Sequence, residues 1–80
     1  MKIVVQVHRC NEWRNVTSIS FSPSKEKSSR KDGFIELSKK DALTEAYLAL
    51  GAWRSSEQFT GCELRLALQS YYGRPEPIIN

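Results

Sequence analysis

The side chains best suited to catalysis belong to one histidine, His8, and two cysteines, Cys10 and Cys62. On a strand, His8 and Cys10 would point to the same face, as a thiol–imidazole pair requires. Sequence spacing brings no serine or carboxylate to that pair, and the groups that a small ribonuclease needs cannot be located. The three residues also lack the paired short spacing of structural zinc ligands. We therefore predict a protein that is not an enzyme, with no catalytic residues, metal or cofactor.

A second group of chemically informative residues is basic. The stretch SPSKEKSSRKDG at positions 22–33 is polar and charged, and Pro23 and Gly33 bracket it as loops commonly are. Two further lysines follow it at the start of a predicted helix. Together these cations are the predicted contacts to a partner or a phosphate: Lys25, Lys27, Arg30, Lys31, Lys39 and Lys40.

The two lysines at the predicted helix start lie where the helix dipole favours anions. Each cation there costs a few tenths to about 1 kcal/mol. An anion bound by the free backbone N–H groups of the helix start would offset that cost, and phosphate is the candidate. The alternative is that Asp41 and the solvent screen Lys39 and Lys40, and that residues 22–33 form a soluble loop without a ligand.

The charge is distributed unevenly along the chain. Residues 25–40 carry six basic and three acidic side chains, whereas residues 41–80 carry three arginines and five acids. The net charge of +3 is small for a protein that binds free duplex DNA or RNA, because non-specific affinity depends on the number of phosphates neutralised. A protein or nucleoprotein complex is therefore favoured as the partner over nucleic acid alone.

Aromatic residues provide further candidate contacts. The two tryptophans, three tyrosines and three phenylalanines exceed what a core of this size needs, so some are expected on the surface. Because tryptophan, tyrosine and arginine dominate interface energetics, Trp13 with Arg14 and Tyr71 with Arg65 are predicted partner contacts. The alternative for Trp13 is that it covers the edge of a hairpin.

Two alternating segments near the N-terminus predict that hairpin. Apolar residues recur at every second position from 2 to 9, turn residues follow at Asn11 and Glu12, and alternation resumes from 13 to 22. The second segment divides its side chains between two faces: Thr17, Ile19 and Phe21 on one, Val16, Ser18 and Ser20 on the other. FIEL at 34–37 predicts a short third strand.

A helix is predicted after Ser38, because Asp41 follows three residues later in a weaker form of the capping box. An apolar stripe then recurs at spacings of three and four, and we assign it to the core: Leu43, Ala46, Tyr47, Leu50 and Trp53. The segment CELRLALQSYY at 62–72 contains strong helix formers, but its leucines alternate with polar residues. We therefore predict a strand there rather than a second helix.

These elements predict an α+β fold: a small antiparallel sheet of about four strands, in the order β-β-β-α-β, packed on one amphipathic helix. Residues 1–73 are predicted to form this single domain and residues 74–80 an extended C-terminal tail. The sheet face away from the helix is predicted to be polar and open to a partner, the alternative being a solvated face without a role. Its residues are Gln6, His8, Ser18, Ser20, Glu63, Arg65, Gln69 and Tyr71.

The first ten residues, MKIVVQVHRC, lack the long apolar run of a signal peptide or a membrane helix. We therefore expect a cytoplasmic protein with no membrane partner, whose two cysteines are reduced. We expect a monomer or a homodimer, the homodimer forming by pairing of an edge strand.

The expected function is that of a small binding protein that docks stoichiometrically on a nucleic-acid-handling protein or nucleoprotein complex and modulates or inhibits it. Small single-domain chains without a catalytic motif are often inhibitors of host defence that phages or mobile elements encode, the anti-CRISPR proteins among them. The alternative is a direct DNA- or RNA-binding domain that uses residues 25–31 and the helix start.

Overall fold

The computed structural model describes residues 1–78, and within that range it confirms the predicted α+β class with an antiparallel four-stranded sheet and one α-helix. The elements in chain order are β1 (Lys2–Arg9), β2 (Glu12–Ser20), β3 (Ser29–Lys31), β4 (Phe34–Glu36), α1 (Lys39–Arg54), a short 3-10 helix (Glu57–Phe59), β5 (Leu64–Gln69) and β6 (Glu76–Pro77). The sheet has the strand order β2-β1-β5-β6, and β3 pairs with β4 in a separate hairpin. Residues 79–80 of the predicted tail lie outside the described residues.

The turn between β1 and β2 consists of Cys10 and Asn11. Both residues have positive φ, 52° and 63°, which is the conformation of the two-residue turns that match the twist of antiparallel strands. The turn therefore lies one residue earlier than the Asn11–Glu12 pair that the sequence indicated.

A bulge interrupts the pairing of β1 with β2. Val5 lies opposite Thr17, but the next residue, Gln6, lies opposite Asn15, so Val16 is the extra residue. The prediction that Val16 shares a face with serines is wrong, because the bulge turns Val16 so that it packs against the core.

The same bulge decides where Trp13 points. Without it, strict alternation would place Trp13 on the helix side of the sheet together with Ile19. A shift of one residue reverses the faces, and Trp13 therefore lies opposite His8, on the side away from the helix.

The core lies between the sheet and α1. The helix buries Ala42, Ala46 and Leu50, which pack with alternate residues of β1 and β5: Ile3, Val5, Val7, Leu64 and Leu66. The alternating leucines of β5 confirm the prediction of a strand in this segment. The assignment of Tyr47 to the core is wrong, since 41% of Tyr47 is exposed. Small alanines bring the helix close to the sheet and leave the larger ring outside the contact.

The C-terminal segment adds an edge strand to the sheet. Glu76 and Pro77 pair with β5, and the N–H of Ile78 donates to the carbonyl oxygen of Leu66 at 2.9 Å. Proline is tolerated at this position because an edge strand leaves one side of its backbone unpaired. Among the described residues, no helix combines the length and the apolar character that crossing a membrane requires.

Candidate binding surfaces

The first surface is the basic arm, residues 22–37, which leaves the core after Phe21 and returns at the start of α1. Its strands β3 and β4 are joined by Asp32 and Gly33, with φ of 51° and 80°, as in other tight hairpin turns. The segment predicted as a loop thus contains a hairpin. The strand predicted at 34–37 forms at Phe34–Glu36, but it pairs inside the arm rather than with the main sheet.

The hairpin of the arm presents cations together with apolar side chains. Arg30 lies opposite Ile35 and Lys31 opposite Phe34, and every residue of the two strands is exposed. Residues opposite each other share a face, so each face carries one cation and one large apolar side chain. Phe34 is 76% exposed. These exposed apolar side chains were not predicted as contact residues from the sequence. The signal for the hairpin was present, because an Asp-Gly pair between two short strands strongly indicates a hairpin.

A concavity of about 600 Å³ joins the arm to the start of α1. Three of the predicted cations line it, Lys25, Lys39 and Lys40, whereas the other three, Lys27, Arg30 and Lys31, are exposed on the arm and do not line it. Leu43, Thr44 and the exposed Tyr47 complete the helix side of the concavity. The structure therefore brings the arm and the helix start together, as the charge pattern indicated.

Within the arm, one of these lysines is already paired. The Lys25 ammonium lies 2.6 Å from a carboxylate oxygen of Glu36 and donates to the hydroxyl of Ser29 at 2.8 Å. Lys39 and Lys40 are both exposed. They therefore present charge to the solvent more freely than Lys25 does.

The helix start is capped from inside the protein. The Ser38 hydroxyl accepts the N–H of Asp41 at 3.2 Å, and the Ser28 hydroxyl of the arm accepts the N–H of Ser38 at 2.9 Å. Ser28 also donates to the carboxylate of Asp41. The carboxylate of Asp41 therefore lies at the positive end of the helix dipole, as the screening alternative expects.

The second surface is the outer face, by which we mean the side of the four-stranded sheet away from α1. Here a hydrogen-bonded row crosses three strands: Gln6 donates to Asn15 at 2.9 Å, and the Arg65 Nε donates to Gln6 at 2.9 Å. The Arg65 guanidinium lies over the Trp13 ring, with 3.9 Å between its central carbon and the ring centroid. The His8 ring contacts the same indole, centroid to centroid at 5.0 Å.

Some residues predicted on this face are placed differently. Gln6 is buried rather than open to a partner, because its neighbours in the row cover it. Glu63 and Tyr71 lie outside β5, which begins at Leu64 and ends at Gln69. The outer face is thus less uniformly polar and exposed than the alternation indicated.

The predicted aromatic and arginine pairs are also different. Arg14 follows Trp13 on a strand and so points to the other face, where it forms an ion pair with Glu12 at 2.7 Å. Tyr71 lies beyond β5, 86% exposed and edge-on to Tyr72, with 4.8 Å between ring centroids. The pairing that does form joins Arg65 to Trp13, and only the bulge in β2 makes it reachable.

The residues considered for catalysis do not form a cluster. His8 is stacked on Trp13, Cys10 lies in the turn after β1, and both cysteines are free thiols. Across residues 1–78, no three or more histidine, cysteine or acidic side chains are grouped so that they could hold a metal ion. The described surfaces present cations, aromatic rings and hydrogen-bond donors.

Comparison with known proteins supplies no relative: no family model matches the sequence, and no curated protein or solved structure is significantly similar to it.

Proposed function

We propose that this chain is a small non-enzymatic protein that docks through its basic arm on a nucleic-acid-handling protein or nucleoprotein complex, stoichiometrically, and modulates or inhibits it. The observation that carries the proposal is the concavity between the arm and the start of α1, which three lysines line. Three further cations are exposed on the arm: Lys27 before the hairpin, and Arg30 and Lys31 on the two faces of β3. An acidic or phosphate-bearing surface is their natural complement.

The composition of the arm favours a protein surface over bare nucleic acid. Phe34 and Ile35 are exposed beside the cations, and Tyr47 adds an aromatic ring at the concavity. Mixed aromatic, aliphatic and basic side chains are typical of the anchors of protein interfaces. The three acids of the arm, at positions 26, 32 and 36, would repel a closely tracked phosphate backbone.

We extend the proposal to the class of cytoplasmic inhibitors of host defence that phages and mobile elements encode, of which anti-CRISPR proteins are an example. Support comes from the exposed arm, whose hairpin offers basic and apolar contacts: Arg30, Lys31, Phe34 and Ile35. A protein of this size can block a larger machine by occupying one surface.

The test is affinity capture from the native host cell followed by mass spectrometry, with three forms of the protein as bait. Lys39→Gln/Lys40→Gln removes two cations of the concavity, and Arg54→Gln/Arg74→Gln removes two cations elsewhere with the same change in net charge. The proposal expects a partner that the wild type and the second variant retain and the first loses. A partner set that is identical for all three baits contradicts it.

A second candidate function, direct binding of DNA or RNA, is favoured by one observation. The hairpin of β3 and β4 is an exposed two-stranded ribbon that carries Arg30 and Lys31, and the major groove of DNA, about 12 Å wide, admits such a ribbon. Direct binding requires affinity for random duplex that falls steeply with salt, which fluorescence anisotropy measures. Affinity that is undetectable at low salt rules this candidate out in favour of the first.

A further inference from the structure

Arg65 differs from the cations of the arm because the fold holds its guanidinium from two directions. Its Nε donates to Gln6 at 2.9 Å, and its plane lies over the Trp13 ring at 3.9 Å. Gln6 is itself held by its bond to Asn15 and is 4% exposed. The guanidinium is thus held from two sides before any partner arrives.

Among residues 1–78, no carboxylate forms an ion pair with the terminal nitrogens of this guanidinium. In residues 1–78 the ion pairs join Arg14 to Glu12 and Lys25 to Glu36, and neither involves Arg65. The hydrogen bond of Arg65 uses Nε alone. Two parallel N–H donors at the end of a fixed guanidinium match the two oxygens of a carboxylate or a phosphate.

From this geometry we propose that Arg65 is a preorganised site for a single carboxylate of an acidic protein segment, which binds across the outer face beside Trp13. Carboxylate is favoured over a nucleic acid phosphate by the surroundings. The described partners of Arg65 on the outer face are Trp13 and Gln6, and its same-face neighbours along the chain are Glu63 and Ala67. None of the four is a lysine or arginine. A phosphate backbone needs several cations along its path, whereas one acidic side chain needs one.

The aromatic surroundings suit a protein segment as well. Trp13 and Arg65 are both half-buried, so each retains exposed surface for contact, and tryptophan and arginine are the residue types that contribute most to interfaces. Because both side chains are already ordered, binding loses little side-chain entropy. This site lies on the sheet face opposite α1 and does not depend on what the basic arm binds.

The test is a nuclear magnetic resonance titration that resolves individual sites. The probe is a short capped glutamate-rich peptide, and the same peptide with glutamine for glutamate is the control. We expect saturable shifts of the Arg65 Nε–H and Trp13 indole N–H signals with the first peptide only. Arg65→Lys keeps the charge and loses the planar fork, so it should weaken binding measured at the Trp13 signal by about tenfold. Arg54→Lys, on the exposed last turn of α1, is the matched control and should leave it unchanged.

Three results would overturn the proposal. One is an Arg65 shift no larger than that of Arg54, and another is unchanged affinity at the Trp13 signal in Arg65→Lys. The third is tighter binding at Arg65 by inorganic phosphate or a single-stranded oligonucleotide than by the peptide. The titration is repeated in Lys39→Gln/Lys40→Gln, where the concavity beside the arm has lost two cations. Persistence of the Arg65 shifts there separates this site from the proposed function of the arm.

Discussion

The basic arm and the outer face differ in how firmly the fold holds their cations. In the arm, residues Arg30 and Lys31 extend from a hairpin that pairs only with itself, and Lys39 and Lys40 are exposed at a helix end. On the outer face a single arginine is held by a buried amide and an indole. Many loosely held cations attract a charged surface at long range, whereas one fixed guanidinium selects a geometry. The two proposed sites would therefore recognise their partners in different ways.

The largest expected effect comes from removing the amide that holds Arg65. Gln6→Leu deletes two hydrogen bonds in a buried position and leaves the Arg65 Nε without its acceptor. We expect the free energy of unfolding to fall by about 1–3 kcal/mol in urea denaturation. Lys27→Leu, at an exposed position of the arm, should change it by less than about 0.5 kcal/mol. Equal losses of unfolding free energy in the two variants would mean that the outer face holds its side chains no more firmly than the arm does.

The next effect tests the junction between the arm and the helix. Ser28→Ala removes the acceptor of the Ser38 N–H and the donor to the Asp41 carboxylate, and should cost about 1 kcal/mol of unfolding free energy. Amide hydrogen exchange in the arm should become faster, because Ser28 ties the arm to this point. Ser18→Ala, at an exposed site on β2, is the control. No change in arm exchange would show that Ser28 and Ser38 do not anchor it.

A third prediction tests whether the arm hairpin is independent of the core. Gly33 has φ of 80° and open space where a Cβ would lie, so Gly33→Ala strains only the backbone. We expect about 1 kcal/mol of local destabilisation, seen as roughly fivefold faster exchange in β3 and β4. The global free energy of unfolding should not change. A matching global loss would mean that the arm is part of the cooperative core.

The smallest effect is a gain in stability. Lys39→Gln/Lys40→Gln removes two cations from the positive end of the helix dipole and should raise the unfolding free energy by a few tenths of a kcal/mol. Arg54→Gln/Arg74→Gln removes a cation from the favourable end and should lower it slightly. Both changes in unfolding free energy should be smaller in high salt, because salt screens the interaction of these cations with the helix dipole. A loss of stability in the lysine variant would mean that these lysines make stabilising contacts.

The sequence predicted the elements whose patterns are long and regular. The alternation in β1 and β5, and the Ser38 cap before a helix with apolar spacing, indicated the sheet and its helix, because burial on one face imposes those periods. The predicted apolar stripe of α1 was wrong at Tyr47, which is exposed because its position on the helix faces away from the closest helix–sheet contact. Local pattern gives the period of a helix but not which side packs most tightly.

The candidate sites were only partly predictable. Charge alone located the arm, and a turn signal at Asp32–Gly33 identifies its hairpin. The Arg65–Trp13 stack was beyond sequence reasoning, because it depends on a bulge at Val16 and on the register that sets Arg65 opposite Gln6. Tertiary pairing decides both, and no local pattern encodes them.

Hydrogen exchange of the protein bound to its captured partner tests the central claim most directly. We expect the backbone amides of residues 25–40 to exchange more slowly in the complex than in the free protein, because the arm and the helix start contact the partner in the proposed function. Unchanged exchange across 25–40, with slowing confined to other parts of the chain, would contradict it.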